Sequence, residues 1–94
     1  MKTIVISEKC GNFAENKDVA KYYRESVLKP FLNKGEEVTL DFSQVDSATQ
    51  SFLHAMLSEL FQNKGEELLN KIYFKNCNIT VKSIIGTVIS YSLE

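Results

Sequence analysis

Apolar residues follow two different periods along this chain, and the two periods alternate. Three short segments, residues 3–7, 38–42 and 72–76, are rich in the β-branched and aromatic side chains that favour strands. In the second segment Val38, Leu40 and Phe42 alternate with Thr39 and Asp41, which is the period of a strand with one buried face. The pattern therefore predicts three strands, each followed by a longer segment of helical period.

The segment after the first predicted strand has helical spacing and a capping residue. Asn16 or Asp18 is expected to cap the helix, because their side-chain oxygens can accept from first-turn amides. Pro30 has no amide hydrogen and disfavours α geometry at Lys29, so the helix is expected to end or kink there. The apolar positions that define its buried face are Val19, Tyr22, Tyr23, Val27 and Phe31.

The clearest amphipathic helix of the chain is predicted at residues 48–62. Gly65 is a plausible end for it, and residues 66–70 are expected to add a helical turn. The apolar positions recur at i, i+1, i+4, i+5, i+8 and i+9, and they are Phe52, Leu53, Met56, Leu57, Leu60 and Phe61.

The last segment fits two patterns. A helical period from Val81 to Ile89 predicts a third helix. Ile89, Tyr91 and Leu93 also alternate with serines, so a terminal strand after Gly86 stays open as the alternative. We take the helix as the working prediction.

The order of these elements predicts the fold class. A βαβαβα order favours an α/β fold, with a small, mainly parallel sheet, right-handed crossovers and helices packed over the sheet. Residues 1–94 suffice for a single domain. The carboxyl ends of parallel strands meet at one edge, so the polar loops at 8–16, 43–47 and 76–78 are expected to gather there and to form the site.

Charge and composition exclude several classes of function. The net charge of −1 does not suit a nucleic-acid-binding protein, whose affinity comes largely from phosphate neutralisation. The apolar runs are far shorter than the roughly twenty residues of a membrane span, and the amino end has no secretory pattern, so a cytoplasmic location is expected. One histidine and two cysteines without metal-ligand spacing predict no metal and no other cofactor.

Two polar features have a structural and a functional interpretation. Ser47 and Gln50 match a capping box, which by itself explains their spacing. Asp41 and Asp46 could form an acidic pair for magnesium or for acid–base chemistry, although solvation of a loop end explains them equally well. No glycine-rich phosphate loop is present, since each of the four glycines is isolated.

The run from Leu40 to Val45 (Leu-Asp-Phe-Ser-Gln-Val), followed by a polar loop and a Ser51-Phe52 helix start, resembles the STAS superfamily. It is closest to the small bacterial STAS-like domains of unknown function, and the resemblance covers roughly residues 38–89. It implies a non-enzymatic regulatory module that binds another protein. The better-known relatives are anti-sigma-factor antagonists, in which a partner kinase phosphorylates a serine at this helix start.

At the position of that serine this chain has Gln50, and the nearest hydroxyls belong to Thr49 and Ser51. The STAS-like domains also tend to have acidic residues after Ser-Phe, where this chain has Leu53, His54 and Ala55. Thr49 and Ser51 are the candidate phosphoacceptors by resemblance. We expect, however, that the switch has been lost and that binding is constitutive.

The leading hypothesis is a cytoplasmic, non-catalytic module whose partner is a kinase-like or ATPase-like protein. The rival hypotheses are a small nucleotide-binding protein or enzyme that uses Asp41 and Asp46, and a structural subunit that forms a homo-oligomer through its last segment. The partner-binding residues expected under the leading hypothesis are Asp46, Ser47, Thr49, Gln50, Ser51 and Phe52.

Overall fold

The computed structural model describes residues 2–94. The strands are β1 (Lys2–Val5), β2 (Phe13–Ala14), β3 (Val38–Asp41), β4 (Ser47–Ala48) and β5 (Ile72–Lys75). The helices are α1 (Ser7–Cys10), α2 (Lys17–Tyr22), α3 (Lys29–Asn33), α4 (Gln50–Lys64) and α5 (Ile79–Ser92). A π-helical segment (Tyr23–Leu28) joins α2 to α3, and a 3₁₀ helix (Gly65–Asn70) follows α4.

The main sheet has the order β1-β3-β5, and both pairings are parallel. Ile4, Leu40 and Phe74 lie side by side in the register, and on the same face Val38 lies beside Ile72. The helices cover this apolar face, as the single buried core shows. The predicted α/β class with a small parallel sheet and helices packed over it is therefore confirmed.

The loops predicted at 8–16 and 43–47 contain regular structure that the sequence did not indicate. Helix α1, which begins at Ser7, extends into the first, strand β2 lies within it, and β4 begins at the end of the second. Strands β2 and β4 pair in parallel, with Phe13 beside Ser47 and Ala14 beside Ala48. Two-residue strands are too short to show a period, so only the tertiary structure reveals them.

The first long helix begins as predicted but passes the proline. The Asn16 side chain accepts from the amides of Asp18 at 2.8 Å and Val19 at 3.3 Å, which confirms the cap. The expected loss of α geometry at Lys29 is wrong, since its φ and ψ are −58° and −47°. The π-helical segment precedes it, with the Lys29 amide bonded to the Arg24 carbonyl. Pro30 thus lies in the first turn of α3, where the missing amide is tolerated.

Helix α4 supplies the largest part of the core. Its predicted apolar stripe is buried throughout, with every member at most 2% exposed. Gly65 ends the helix at a φ of 68°, a left-handed conformation that glycine adopts without a steric penalty. The 3₁₀ helix after it confirms the predicted helical turn.

The last segment is helix α5, so the alternative of a terminal strand after Gly86 is wrong. Asn78 caps it by accepting from the Val81 amide at 2.8 Å. The helix packs on α4, and the Ser92 hydroxyl lies 3.1 Å from the Ser58 hydroxyl of α4. Within α5 the same hydroxyl donates to the Val88 carbonyl at 2.7 Å. None of the helices within residues 2–94 combines the length and the hydrophobicity that crossing a membrane requires.

Removing the Phe52 side chain tests whether this residue is structural. Phe52 has no exposed surface, so Phe52→Ala is expected to lower the free energy of unfolding by about 3–5 kcal/mol through lost burial and the cavity left behind. Ser51→Ala, one position away on the exposed side, is the control and should change it by less than about 0.5 kcal/mol. Chemical denaturation measures both, and equal effects would contradict the assigned core.

Candidate functional site

The loops that follow β3 and β5 meet around the side chain of Asp41. Its Oδ1 accepts from the Ser43 amide at 2.9 Å, from the Ser43 hydroxyl at 2.6 Å and from the Asn76 side-chain amide at 3.0 Å. Asn76 also donates to the Ser43 hydroxyl oxygen at 2.9 Å. The carboxylate that ends the central strand therefore ties the 43–47 turn to the turn after β5.

A second set of hydrogen bonds joins the remaining loops at the same edge. The Asn78 side chain donates to the Asp46 carbonyl at 2.8 Å. The Asp46 amide donates to the Asn12 carbonyl at 2.8 Å, and the Asn12 side chain reaches the Asp46 carboxylate at 3.4 Å. The three polar loops do gather at the carboxyl edge of the sheet, as the parallel strand order predicts. We call the set of Asn12, Asp41, Ser43, Asp46, Asn76 and Asn78 the strand-end cluster.

The electrostatics of the strand-end cluster argue against acid–base chemistry at Asp41. Hydrogen bonds from Ser43 and then Asn76 lower its pKa from 3.8 to about 2. A carboxylate with so low a pKa stays ionised at neutral pH and is a weak general base. Burial raises the pKa of the Cys77 thiol, so that side chain is not an activated nucleophile. Within residues 2–94 no group of three His, Cys, Asp or Glu side chains is placed to hold a metal ion.

The start of α4 differs from the predicted capping box. Thr49, not Ser47, is the N-cap: its hydroxyl oxygen accepts from the Phe52 amide at 3.0 Å. Ser47 instead lies in β4, beside Phe13 of β2. The β2–β4 pairing holds the backbone in an extended conformation through Ala48, so the helix begins only at Gln50. The spacing of Ser47 and Gln50 predicted the cap, and only the strand pairing shows that Ser47 precedes the helix start.

A shallow cleft of about 390 Å³ lies beside this helix start and is lined by Lys17, Gln50, Ser51, His54 and Ala55. Gln50, Ser51 and His54 are exposed on α4. Lys17 comes from the first turn of α2. We call these residues the α4-start cleft.

The packing of the first long helix against α4 places Lys17 at the cleft, and ion pairs join the two at the surface. The Arg24 guanidinium lies 3.1 Å from the Glu59 carboxylate and donates to the Ala55 carbonyl. Lys29 reaches the same Glu59 at 3.6 Å. Sequence reasoning missed Lys17 and gave His54 no role, because no spacing along the chain shows that α2 packs on α4.

The expected partner-binding residues do not share one surface. Gln50 and Ser51 are exposed, Thr49 is engaged in the cap, and Phe52 is fully buried, so Phe52 supports the helix from inside and cannot touch a partner directly. Asp46 is exposed but belongs to the strand-end cluster. Of the two candidate phosphoacceptors, Ser51 has the more accessible hydroxyl.

Comparison with known proteins identifies the family. A family model described as a STAS-like domain of unknown function matches residues 19–82, which span α2 to the first turn of α5. The match includes β3, the strand-end residues from Asp41 to Asn78 and the exposed start of α4. Neither a curated protein nor a solved structure matches the chain.

The assignment of the cap predicts unequal effects of two alanine substitutions. Thr49→Ala is expected to lower the free energy of unfolding by about 1 kcal/mol, because the Phe52 amide loses its acceptor. Ser47→Ala is the matched control and should cost less than about 0.5 kcal/mol. Urea denaturation compares the two proteins, and a larger loss for Ser47→Ala would restore the capping box at Ser47.

The lowered pKa of Asp41 predicts how stability depends on pH. Because the folded state holds the pKa at about 2, the contribution of Asp41 to stability is complete above its ordinary pKa of 3.8 and is lost as the pH falls towards 2. The difference in unfolding free energy between wild type and Asp41→Asn should therefore shrink over that range. Ser43→Ala, which removes one donor, should move the loss to higher pH. A difference that stays constant down to pH 2 would contradict the cluster.

Proposed function

This chain belongs to the family of STAS-like domains of unknown function, and we propose that it works as a regulatory module that binds a partner protein without catalysing a reaction. The contact surface in this proposal is the α4-start cleft, with Gln50 and Ser51 at its centre. The single observation that carries the proposal is the exposure of these side chains on a helix start whose backbone is fixed from below by the Thr49 cap and the buried Phe52.

The state of the strand-end cluster supports a binding role over an enzymatic one. In related folds with open parallel sheets, substrates bind at the carboxyl edge through polar groups that point outward. Here Asp41, Ser43 and Asn76 bond to one another, and Asn78 bonds to the loop backbone. Among the described residues no buried side-chain nitrogen or oxygen lacks a partner. The cluster thus serves to hold the loops, whereas Gln50, Ser51 and His54 expose their polar groups on α4.

The shape and chemistry of the α4-start cleft suit a protein contact. It is open and shallow, and its lining combines a cation, an amide, a hydroxyl and an imidazole. Side chains of this kind form the polar rim of protein interfaces, whereas small-molecule sites are usually enclosed and mostly apolar. A protein of kinase-like or ATPase-like type is the partner that the family resemblance favours.

Binding in this proposal is constitutive. Gln50 has no hydroxyl to phosphorylate, and the Thr49 hydroxyl is already bonded to the helix backbone. A phosphate on Ser51 would lie near the free amides of the first turn, where the helix dipole favours an anion. This helix start is therefore compatible with a phosphate, but Gln50, which stands at the position of the phosphorylated serine in the better-known relatives, has no hydroxyl to receive it.

A charge substitution tests the surface directly. The tagged full chain is expected to retain a partner from its native cell, and Ser51→Glu should reduce the amount retained about tenfold, which corresponds to about 1.4 kcal/mol. Ser26→Glu is the matched control, because Ser26 is an exposed serine on the π-helical segment, and it should leave retention unchanged.

The same preparation tests the constitutive mode. Peptide mass spectrometry of the retained wild-type protein is expected to find no phosphate on Thr49 or Ser51. Substantial phosphorylation at either residue would replace constitutive binding with a switch. Equal retention of wild type and Ser51→Glu would overturn the assignment of the surface.

A further inference from the structure

A second surface lies at the opposite side of the sheet from β1, where β5 forms an open edge. The carbonyls of Lys71 and Lys75 accept from the Val38 and Phe42 amides at 2.8 and 2.9 Å, so the backbone groups of the odd-numbered residues point to β3. Backbone directions alternate along a strand, and within residues 2–94 no strand pairs with the other side of β5. The amides and carbonyls of Ile72 and Phe74 therefore point out of the sheet, ready to pair with another strand.

An apolar groove of about 460 Å³ runs beside this edge, between β5 and α5. Lys82 is the charged residue that lines it. The apolar contacts come from Ile72, Phe74, Ile85 and Ile89, and from the exposed Leu69 at its end. A chain laid along β5 would bury one row of its side chains in this groove while its backbone pairs with Ile72 and Phe74.

Gly86 lies on the α5 side of this groove and leaves space there. It lies in the middle of α5, where glycine is unfavourable relative to alanine. Its backbone has no positive φ, and a Cβ at this position would meet no atom within 4 Å. Nothing inside the fold requires glycine, yet its missing side chain keeps the groove open along the helix.

The charges beside the edge define the occupant. Tyr73 is exposed on the sheet face opposite the core, and the exposed Lys75, at i+2, has the same strand orientation. The exposed Lys71 immediately precedes β5, and its ammonium lies 3.4 Å from the Gly35 carbonyl. Two copies of β5 paired antiparallel about Tyr73 would set Lys71 opposite Lys75 at both ends, and like charges directly opposite are destabilising. Acidic residues at those two positions of a foreign strand would instead form favourable cross-strand pairs.

We propose that the β5 edge is a strand-addition site for an extended segment of a partner protein, with apolar residues facing α5 and acidic residues facing Lys71 and Lys75. This surface is separate from the α4-start cleft, and it uses backbone pairing for affinity and the groove for selectivity. The simplest pattern that meets both requirements is Glu-Val-Thr-Val-Glu, which reads the same in either strand direction.

The test uses the full chain and the synthetic peptide Ser-Glu-Val-Thr-Val-Glu-Ser, blocked at both ends. A second peptide with lysine in place of both glutamates is the control, and it should bind at least about tenfold more weakly. At saturation, exchange of the Ile72 and Phe74 amides with solvent, measured by NMR, should slow about tenfold or more. The amides of Thr3 and Val5, at the other edge of the sheet, should be unaffected.

A variant that fills the groove separates binding from folding. Gly86→Leu places a side chain in open space on a helix, so its melting temperature should be no lower than that of wild type. Its affinity for the acidic peptide should fall at least about tenfold. The proposal is overturned by any of four results: no binding at millimolar peptide, equal binding of the lysine peptide, protection at Thr3 and Val5 instead of β5, or a wild-type dimer through β5 that Gly86→Leu dissolves.

Discussion

Parallel pairing on both sides of β3 is the constraint from which the rest of this structure follows. A strand that is parallel to both neighbours forces every connection to return over the sheet through a helix. The loops that leave the strands then converge at one edge, with polar backbone groups that need partners. Asp41, at the end of β3, meets part of that need by accepting from the Ser43 amide, and it also accepts from the Ser43 hydroxyl and the Asn76 side chain. Asn78 extends the cluster and also starts α5.

This use of the carboxyl edge decides where function can lie. The side chains that sequence alone marks as candidate chemistry, Asp41 and Asp46, are committed to holding loops together. Exposed polar side chains remain on the outer side of α4, and outward-pointing backbone groups remain along β5. Two surfaces of different character result. One offers side chains on a rigid helix start, and the other offers a strand edge above an apolar groove.

The sequence predicted the elements that are long enough, and buried on one face, for their apolar residues to repeat with a regular period. The stripe of α4 from Phe52 to Phe61 and the alternation of Val38 and Leu40 each repeat often enough to be recognised, and both are buried as expected. The same reasoning could not find β2 and β4, because two residues have no period. The sequence also predicted a loss of α geometry before Pro30, which is wrong. In the π-helical segment that precedes Pro30 the backbone hydrogen bonds run from residue i to i−5 instead of i−4, and no spacing of side chains shows that change.

The candidate site was predicted only in part, for a similar reason. The helix start at Gln50 and Ser51 was found through the family resemblance, and the gathering of loops followed from the strand order. The true cap at Thr49 depends on the β2–β4 pairing, and the presence of Lys17 in the cleft depends on the packing of α2 against α4. Contacts between elements that are distant in sequence produce no regular spacing of residues, so one sequence alone does not reveal them.

Site-specific photocrosslinking in the native cell tests the central claim most directly. A photoreactive residue in place of Ser51 samples the α4-start cleft, and one in place of Asn12 samples the strand-end cluster away from β5; both positions are exposed. If the cleft is the contact surface and the cluster is structural, the chain should crosslink to a distinct partner protein from position 51 and not from position 12. Crosslinks from position 12 alone, or from neither position, would contradict this account.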